Sequence, residues 1–344
     1  MKEFGSDFHL ITGFQSKRLH LTDLYHDMVL LADGRQCIVA LIRQEKWRRL
    51  WIPEYFCYEV IETIKEQTGI EVRFYPDYPF QDDNAIVKTL PYEKGDVLLR
   101  MNYFGMRGHR SAADIPIPVI EDHSHDYLGP WALHSDADWC IASLRKTLPL
   151  AEGGMIWSPQ GHRLELDLQN TKENQQKSDE RWHAMKMKAD YLQSVSSDKK
   201  LFRQKFIMTE AWFDVAELSL IDEMSRLTIE KMNIITWMKL KERNWNILIN
   251  MINEQQCEIL KPENEQCKMF SLIILMKNWF QRDSVRKGLL SNAVYPAILW
   301  NVPKETSKET RNFSERMLSI HCDGRYSEKE IEQLAVILNN ALKK

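Results

Sequence analysis

The chain has 344 residues, enough for roughly two domains of ordinary size. Hydrophobic residues make up 44% and charged residues 28%, the balance of a globular protein that buries its own core without staples. With 46 Lys and Arg against 49 Asp and Glu, the formal charge is −3, which argues against a nucleic-acid binder driven by a global basic field.

No stretch approaches the apolar run of about eighteen residues that a membrane span needs. The opening MKEFGSDFHLITGF lacks the apolar core of a secretory signal. The cysteines, at 37, 57, 140, 257, 267 and 322, form no CxxC pair. Cys37, Cys57 and Cys140 sit in apolar contexts and read as reduced core thiols. The expectation is a soluble, cytoplasmic chain that needs neither membrane nor nucleic acid.

In chain order, MVLLA (28–32) reads as a first strand that stops at the turn signal Asp33-Gly34. RQCIVALIRQ follows with apolar residues at helical spacing. LWIP (50–53) is a second strand, and YFCYEVIETIKEQTG a helix with Gly69 near its end. VRFY (72–75), DVLLRM (96–101), IPVIED (117–122), DWCIASL (138–144) and MIW (155–157) continue the strands to seven. Strands that alternate with helices and are apolar on both faces predict a mostly parallel sheet covered on both sides, a three-layer α/β sandwich.

Residues 164–200 turn polar and read as an exposed helix and connector. Residues 201–256 carry long helical patterns and read as bridging helices. Beyond them, 268–276, 294–299 and 317–323 are strand-like and 282–290 is helical. A closing helix opens on a Ser327/Glu330 capping box. The division expected is 1–200 for a large α/β domain, 201–256 for the bridge and 257–344 for a small C-terminal α+β domain.

In parallel sheets, ligands collect at the carboxyl ends of the strands. There this sequence places Gly34-Arg35, Asn102-Tyr103, Asp122-His123 and Ser143 to Lys146. An Asp at one strand end and a Lys at the next can face each other across a crevice. Such a Lys can form a Schiff base with an aldehyde. The opposite carboxylate would hold a pyridinium nitrogen protonated, making the ring an electron sink. Gly34-Arg35 opens a helix, and helix N-terminal amides bind anions.

Taken in order, Asp33-Gly34-Arg35, Ile52-Pro53-Glu54-Tyr55, Asn102-Tyr103-Phe104-Gly105, Glu121-Asp122, Ser143-Leu144-Arg145-Lys146 and Glu152-Gly153-Gly154 resemble a fold-type-I pyridoxal-phosphate (PLP) enzyme. The chain is most similar to the DegT/StrS sugar aminotransferases. Tyr295-Pro296 through Trp300, and SIHCDGRY (319–326), resemble the small domain of that family. The resemblance implies an aspartate-aminotransferase-like fold with pyridoxal 5'-phosphate as cofactor. It implies that Lys146 carries the cofactor and shuttles a proton, and that Asp122 pairs with the pyridine nitrogen. His125 and Asn102 would lie near the ring hydroxyl. Ser143, with the amides of Gly34 and Arg35, would hold the phosphate, and Phe56 or Tyr55 would stack on the ring. A homodimer would complete the site. An amino-acid donor and a keto acceptor, a nucleotide-linked sugar among the candidates, would be the substrates. The family's Gly-Tyr-Asn-x-Arg stretch has no counterpart in LFRQKFIMTEAWFD, which leaves the acceptor open.

Rival readings stay in view. PLP on the same fold also supports decarboxylation, elimination and aldol cleavage, and a fold relative can act as a binding module. His123-x-His125 with Asp122, Asp126 and His134 offers metal ligands. No second HxH or HExxH supports them, and the stretch should bend after the strand, so no metal is expected. Arg325 could bind a substrate carboxylate or serve as a turn residue.

Overall fold

The computed structural model describes residues 3–13, 19–196 and 198–343. Met1, Lys2 and Phe14 of the opening stretch, and the last residue of the closing helix, lie outside them.

All seven expected strands form one sheet. They are β1 (Val29–Leu31), β2 (Arg49–Pro53), β3 (Glu71–Tyr75), β4 (Asp96–Met101), β5 (Val119–Asp122), β6 (Trp139–Ser143) and β7 (Gly154–Trp157). Their spatial order is β1-β7-β6-β5-β4-β2-β3. The β3/β2, β2/β4, β4/β5 and β5/β6 pairs are parallel, whereas β7 runs antiparallel to both β6 and β1. Alternation sends side chains to two cores. Leu98, Ala142 and Met155 pack on one face, and Val97, Leu99, Ile141 and Ile156 on the other.

Helix α1 (Gly34–Glu45) starts where Asp33 accepts the Gln36 amide at 2.9 Å, and its residues 35–42 are buried against the sheet. Helix α2 (Tyr58–Thr68) ends at Gly69, whose φ of +68° is the left-handed geometry a helix stop favours.

The polar stretch after β7 departs from its reading. Helix α3 (Lys172–Leu192) is not an exposed connector: Trp182, Ala184 and Met185 are buried. Its buried polar residues are partnered instead. Asn174 donates to Glu152 at 3.0 Å, Arg181 meets Asp7 at 3.0 Å, and Lys188 donates to Ser6 Oγ at 3.0 Å. Polar composition hides burial when the partners lie far away in sequence.

Helices α4 (Lys199–Val215), α5 (Glu223–Lys231) and α6 (Ile234–Met251) follow. Ile234 and Trp237 at one end of α6 join a core of the large sheet, while Leu248 near its other end joins the core of the C-terminal region. That region holds an antiparallel sheet of β8 (Glu258–Ile259), β9 (Leu272–Leu275) and β10 (Met317–Ile320), in the order β10-β9-β8. Helices α7 (Trp279–Leu290), α8 (Lys308–Arg316) and α9 (Glu328–Leu342) accompany it. The Ser327/Glu330 capping box is formed, with Glu330 accepting the Ser327 amide at 2.7 Å. Within the expected strand 294–299, Val294–Tyr295 pairs as strand, parallel to Phe4–Gly5, and Ala297 makes an isolated antiparallel bridge to Ser319. Among the described residues, no helix is long and apolar enough to cross a membrane.

One close approach locks α1 to the sheet. A Cβ at Gly154 would lie 2.1 Å from the Asp33 carbonyl oxygen and 2.7 Å from Cys37 Sγ. Gly154→Ala should therefore destabilise the fold by about 1–3 kcal/mol through overpacking. The check is urea unfolding, in which the midpoint falls while the slope is unchanged.

Candidate active site

The carboxyl ends of β5 and β6 and the N-terminus of α1 enclose one cleft. Gly34, Arg35, Phe56, Asp122, Ser143 and Lys146 all line it, with Asp33, Ser124 and Trp300. The first-turn amides of α1 have no helical carbonyl to bond. Asp33 satisfies one of them, at Gln36. Those of Gly34 and Arg35 open beside Ser143, and the approach is close: a Cβ on Gly34 would lie 2.8 Å from the Ser143 Cβ.

Ser124 joins the two strand ends. Its amide donates to Asp122 Oδ1 at 2.8 Å, and its hydroxyl accepts the Ser143 amide at 2.9 Å. Lys146 follows on a short 3-10 turn, Leu144–Lys146, and its ammonium sits 5.8 Å from the Trp300 ring centroid. From there two wider openings lead outward, of about 210 Å³ past His125, Arg181 and Arg325 and about 530 Å³ past Arg35, Lys199 and Glu210.

His125 is stacked between Phe104, with centroids 5.3 Å apart, and Trp300, at 5.6 Å. The Phe104 amide donates to His125 Nδ1 at 3.0 Å. A backbone amide only donates, so Nδ1 is the acceptor and the ring proton is assigned to Nε2. Burial, reinforced by the positive charges of Lys146 and Lys241, pushes the imidazole well below its usual range and keeps it neutral. The backbone that aims this amide is unusual: Phe104 has φ +53° and Gly105 φ +68°.

The other residues singled out in the sequence fall as follows. Tyr55 is fully buried, with its hydroxyl on the Leu299 carbonyl, whereas Phe56 lines the cleft beside Trp300. Asn102 is buried and lines none of the three openings around Lys146. Its backbone amide donates to the Asp122 carbonyl at 3.0 Å. Arg325 reaches the cleft wall, but its fork holds Asp323 at 2.8 and 3.0 Å. Arg35 likewise brings its amide to the cleft while its guanidinium is held by Asp214 and Glu210.

His123 and His125 diverge because the chain turns at once, with the Asp126 amide bonded to the His123 carbonyl at 3.0 Å. His123 meets Glu121 at 3.0 Å, and those two plus Cys140 cluster within 4.8 Å of one another, apart from the cleft. Trp300 and Ser124 were not assigned from sequence. Ser124 lay inside the EDHSHD stretch, and Trp300 only closed the Tyr295–Trp300 segment that resembles the family's small domain.

Arg145, next to Lys146, is held by Glu210 through bonds of 2.7 and 2.6 Å, with Arg181 3.3 Å from the same carboxylate. Burial pushes the Glu210 carboxyl up, but the Arg145 and Arg181 charges outweigh it and bring the group from its ordinary 4.5 down to about 2. A depressed carboxyl contributes stability above its ordinary value and loses it as pH falls toward the folded one. The side chain is 43% exposed, so screening keeps the effect modest. Glu210→Gln should melt below wild type at neutral pH. Melting curves from pH 7 downward should show that gap closing between about 4.5 and about 2.

No protein-family model matches the sequence, and no curated protein does. Solved structures do match in fold. PseC from Helicobacter pylori, an aminotransferase involved in the biosynthesis of pseudoaminic acid, superposes with a TM-score of 0.65 at 12% identity, covering 99% of this chain and 100% of its own. Spr1654 from Streptococcus pneumoniae in its PLP form gives 0.64 at 10% identity, covering 96% and 93%. A DegT DnrJ EryC1 StrS aminotransferase from Brucella abortus gives 0.57 at 13% identity, covering 94% and 88%. The chain has the fold of these aminotransferases.

Proposed function

We propose that this protein is a PLP-dependent aminotransferase that takes an amino group from an amino-acid donor and passes it to a keto acceptor. The carrying observation is the convergence of Lys146, Asp122, Ser143 and the α1 amides on one cleft. The cleft suits the cofactor on its own terms. It offers the α1 N-terminal amides, which Gly34 lets approach Ser143, a carboxylate fixed through one oxygen by Ser124, and the Lys146 amine in the same lining. Spr1654, of the same fold, was solved in a PLP form.

When bound, PLP supplies an electron sink for the bond broken at the donor's α-carbon. Ser143 and the Gly34 and Arg35 amides would anchor its phosphate. Asp122 would hold the proton on its ring nitrogen. Neutral His125 presents an N–H for its ring hydroxyl, and Phe56 or Trp300 gives an apolar face that excludes water. Lys146 would tether the cofactor and would take up and return the proton at Nζ. The backbone amide of Asn102 would steady the strand end that carries Asp122. Arg325, with its fork on Asp323, lines the opening past His125 as one half of an ion pair, where it would bind a substrate carboxylate only by sharing that fork.

A keto sugar, as a nucleotide conjugate, is the acceptor favoured by the likeness to DesI, solved in the presence of its TDP-sugar product and superposing with a TM-score of 0.62 at 11% identity. Two copies of the chain are inferred to complete the site. The test is a single-turnover assay with PLP-loaded protein and glutamate. Wild type should release 2-oxoglutarate, and Lys146→Ala should be slower by about 10²–10⁴-fold, the usual worth of a positioned acid–base group. Carbon dioxide instead of keto acid would reassign the reaction to decarboxylation.

A further inference from the structure

Glu121 and Asp122 are neighbours on β5, and strand alternation sends them to opposite faces of the sheet. Asp122 takes the cleft face. On the reverse face Glu121 lies in register with Cys140 of β6, so their side chains stand side by side. His123 follows at the strand end, and Ser135 reaches in from the loop before β6. All of them gather at one carboxylate oxygen. Glu121 Oε2 lies 3.0 Å from His123 Nε2, 2.6 Å from Ser135 Oγ and 3.8 Å from Cys140 Sγ. Cys140 Sγ lies 3.3 Å from Ser135 Oγ. The other carboxylate oxygen, Oε1, and His123 Nδ1 are buried with no hydrogen-bond partner among the described residues.

The surroundings are aromatic. His123 stands edge-on to Trp131 at 5.3 Å and leans on Trp157 at 5.7 Å. Among the described residues the ion-pair partner of Glu121 is His123, not a lysine or arginine. Arg100 reaches this face, over the Trp131 ring at 5.6 Å, but its fork holds Asp83 at 2.8 and 3.0 Å. A buried carboxylate without a firm cation is costly. A divalent ion removes that cost. With Glu121 a carboxylate, Cys140 a thiolate and His123 neutral, ligands and ion sum to zero charge. Thiolate, imidazole and carboxylate together suit zinc. Zinc bonds of about 2.0–2.3 Å give a tetrahedron with edges of about 3.3–3.6 Å. The separations here, from 2.6 to 3.8 Å, bracket that range. The shorter contacts are hydrogen bonds that the ion would replace, opening them by less than about 1 Å.

We propose that Glu121, His123 and Cys140 form a structural zinc site, with Ser135 Oγ completing the tetrahedron. Binding sends the Cys140 thiol proton to solvent as the sulfur–zinc bond forms. Ser135 is half-exposed and His134 beside it is exposed, so the loop that carries them is the way in. The ion would pin β5 to β6 one residue from Asp122 without entering the cleft. His125 belongs to the cleft and takes no part. The site stands apart from the PLP reading and does not depend on it.

The experiment strips the full chain of metal with a chelator, then supplies zinc, or cobalt as its spectroscopic stand-in. In competition with a chromophoric chelator, wild type should take up one zinc per chain and melt at a higher temperature for it. Its cobalt form should show a thiolate-to-cobalt charge-transfer band. Cys140→Ser should lose that band. Cys140→Ser and His123→Gln should each weaken zinc by at least about 100-fold, the upper end of what loss of a mere supporting partner costs. Ser135→Ala, on the half-exposed loop, is the variant to use if those two fail to fold, and it should weaken zinc about tenfold. Lys146→Ala should bind zinc like wild type. Wild type that takes up no zinc overturns the proposal, as does a cobalt form without the thiolate band or a band that survives Cys140→Ser. So does wild-type zinc affinity in the folded variants, or a loss of zinc in Lys146→Ala.

Discussion

The site depends on how closely the β1–α1 turn lies on the ends of β6 and β7. Gly154 lets the Asp33 backbone in, and Gly34 lets the α1 N-terminus meet Ser143. Either glycine enlarged by one carbon would push α1 away from the sheet. The helix amides would then no longer share a cleft with Asp122 and Lys146. A strand order that places β5 and β6 side by side does the rest, since it sets Asp122 and Ser143 at neighbouring strand ends. Backbone contacts decide the geometry here, and the reactive side chains inherit it.

A second layer of control is electrostatic. Lys146 stands beside a cluster of Arg35, Arg145 and Arg181 gathered around Glu210. Glu210 comes from α4, so that helix is tied to the cleft by charge as well as by the packing of Phe202 and Phe206. On the other side, the Phe104 amide fixes the His125 tautomer while burial and two lysines keep the ring neutral. The left-handed backbone at Phe104 and Gly105 is what aims that amide. Within the Asn-Tyr-Phe-Gly motif, Phe104 meets His125 twice, through its amide and through its ring.

Much of the fold was legible because it is local. Short apolar runs closed by Asp33-Gly34 or Gly69, and the Ser327/Glu330 box, speak of strands and caps without any tertiary knowledge. The reversed direction of β7 was not legible, since Met155 to Trp157 reads alike either way along the sheet. Nor was the burial of α3, whose Asn174, Arg181 and Lys188 find partners at residues 152, 7 and 6. In the site, the residues at strand ends were readable from position. Asn102 was drawn toward the cleft by the same reasoning; its side chain is buried and lines none of the openings around Lys146. Trp300 and Ser124 carried no mark of their own: an aromatic near a proline and a serine between two histidines are ordinary until the chain is folded.

The central claim is that Lys146, among all the lysines, is the amine matched to a PLP aldehyde. The most direct measurement is borohydride reduction of the PLP-treated full-length protein, followed by peptide mass spectrometry. The account predicts a single pyridoxyl-modified peptide, with the label on Lys146. An unlabelled Lys146, or a label on Lys241 in its place, would contradict it.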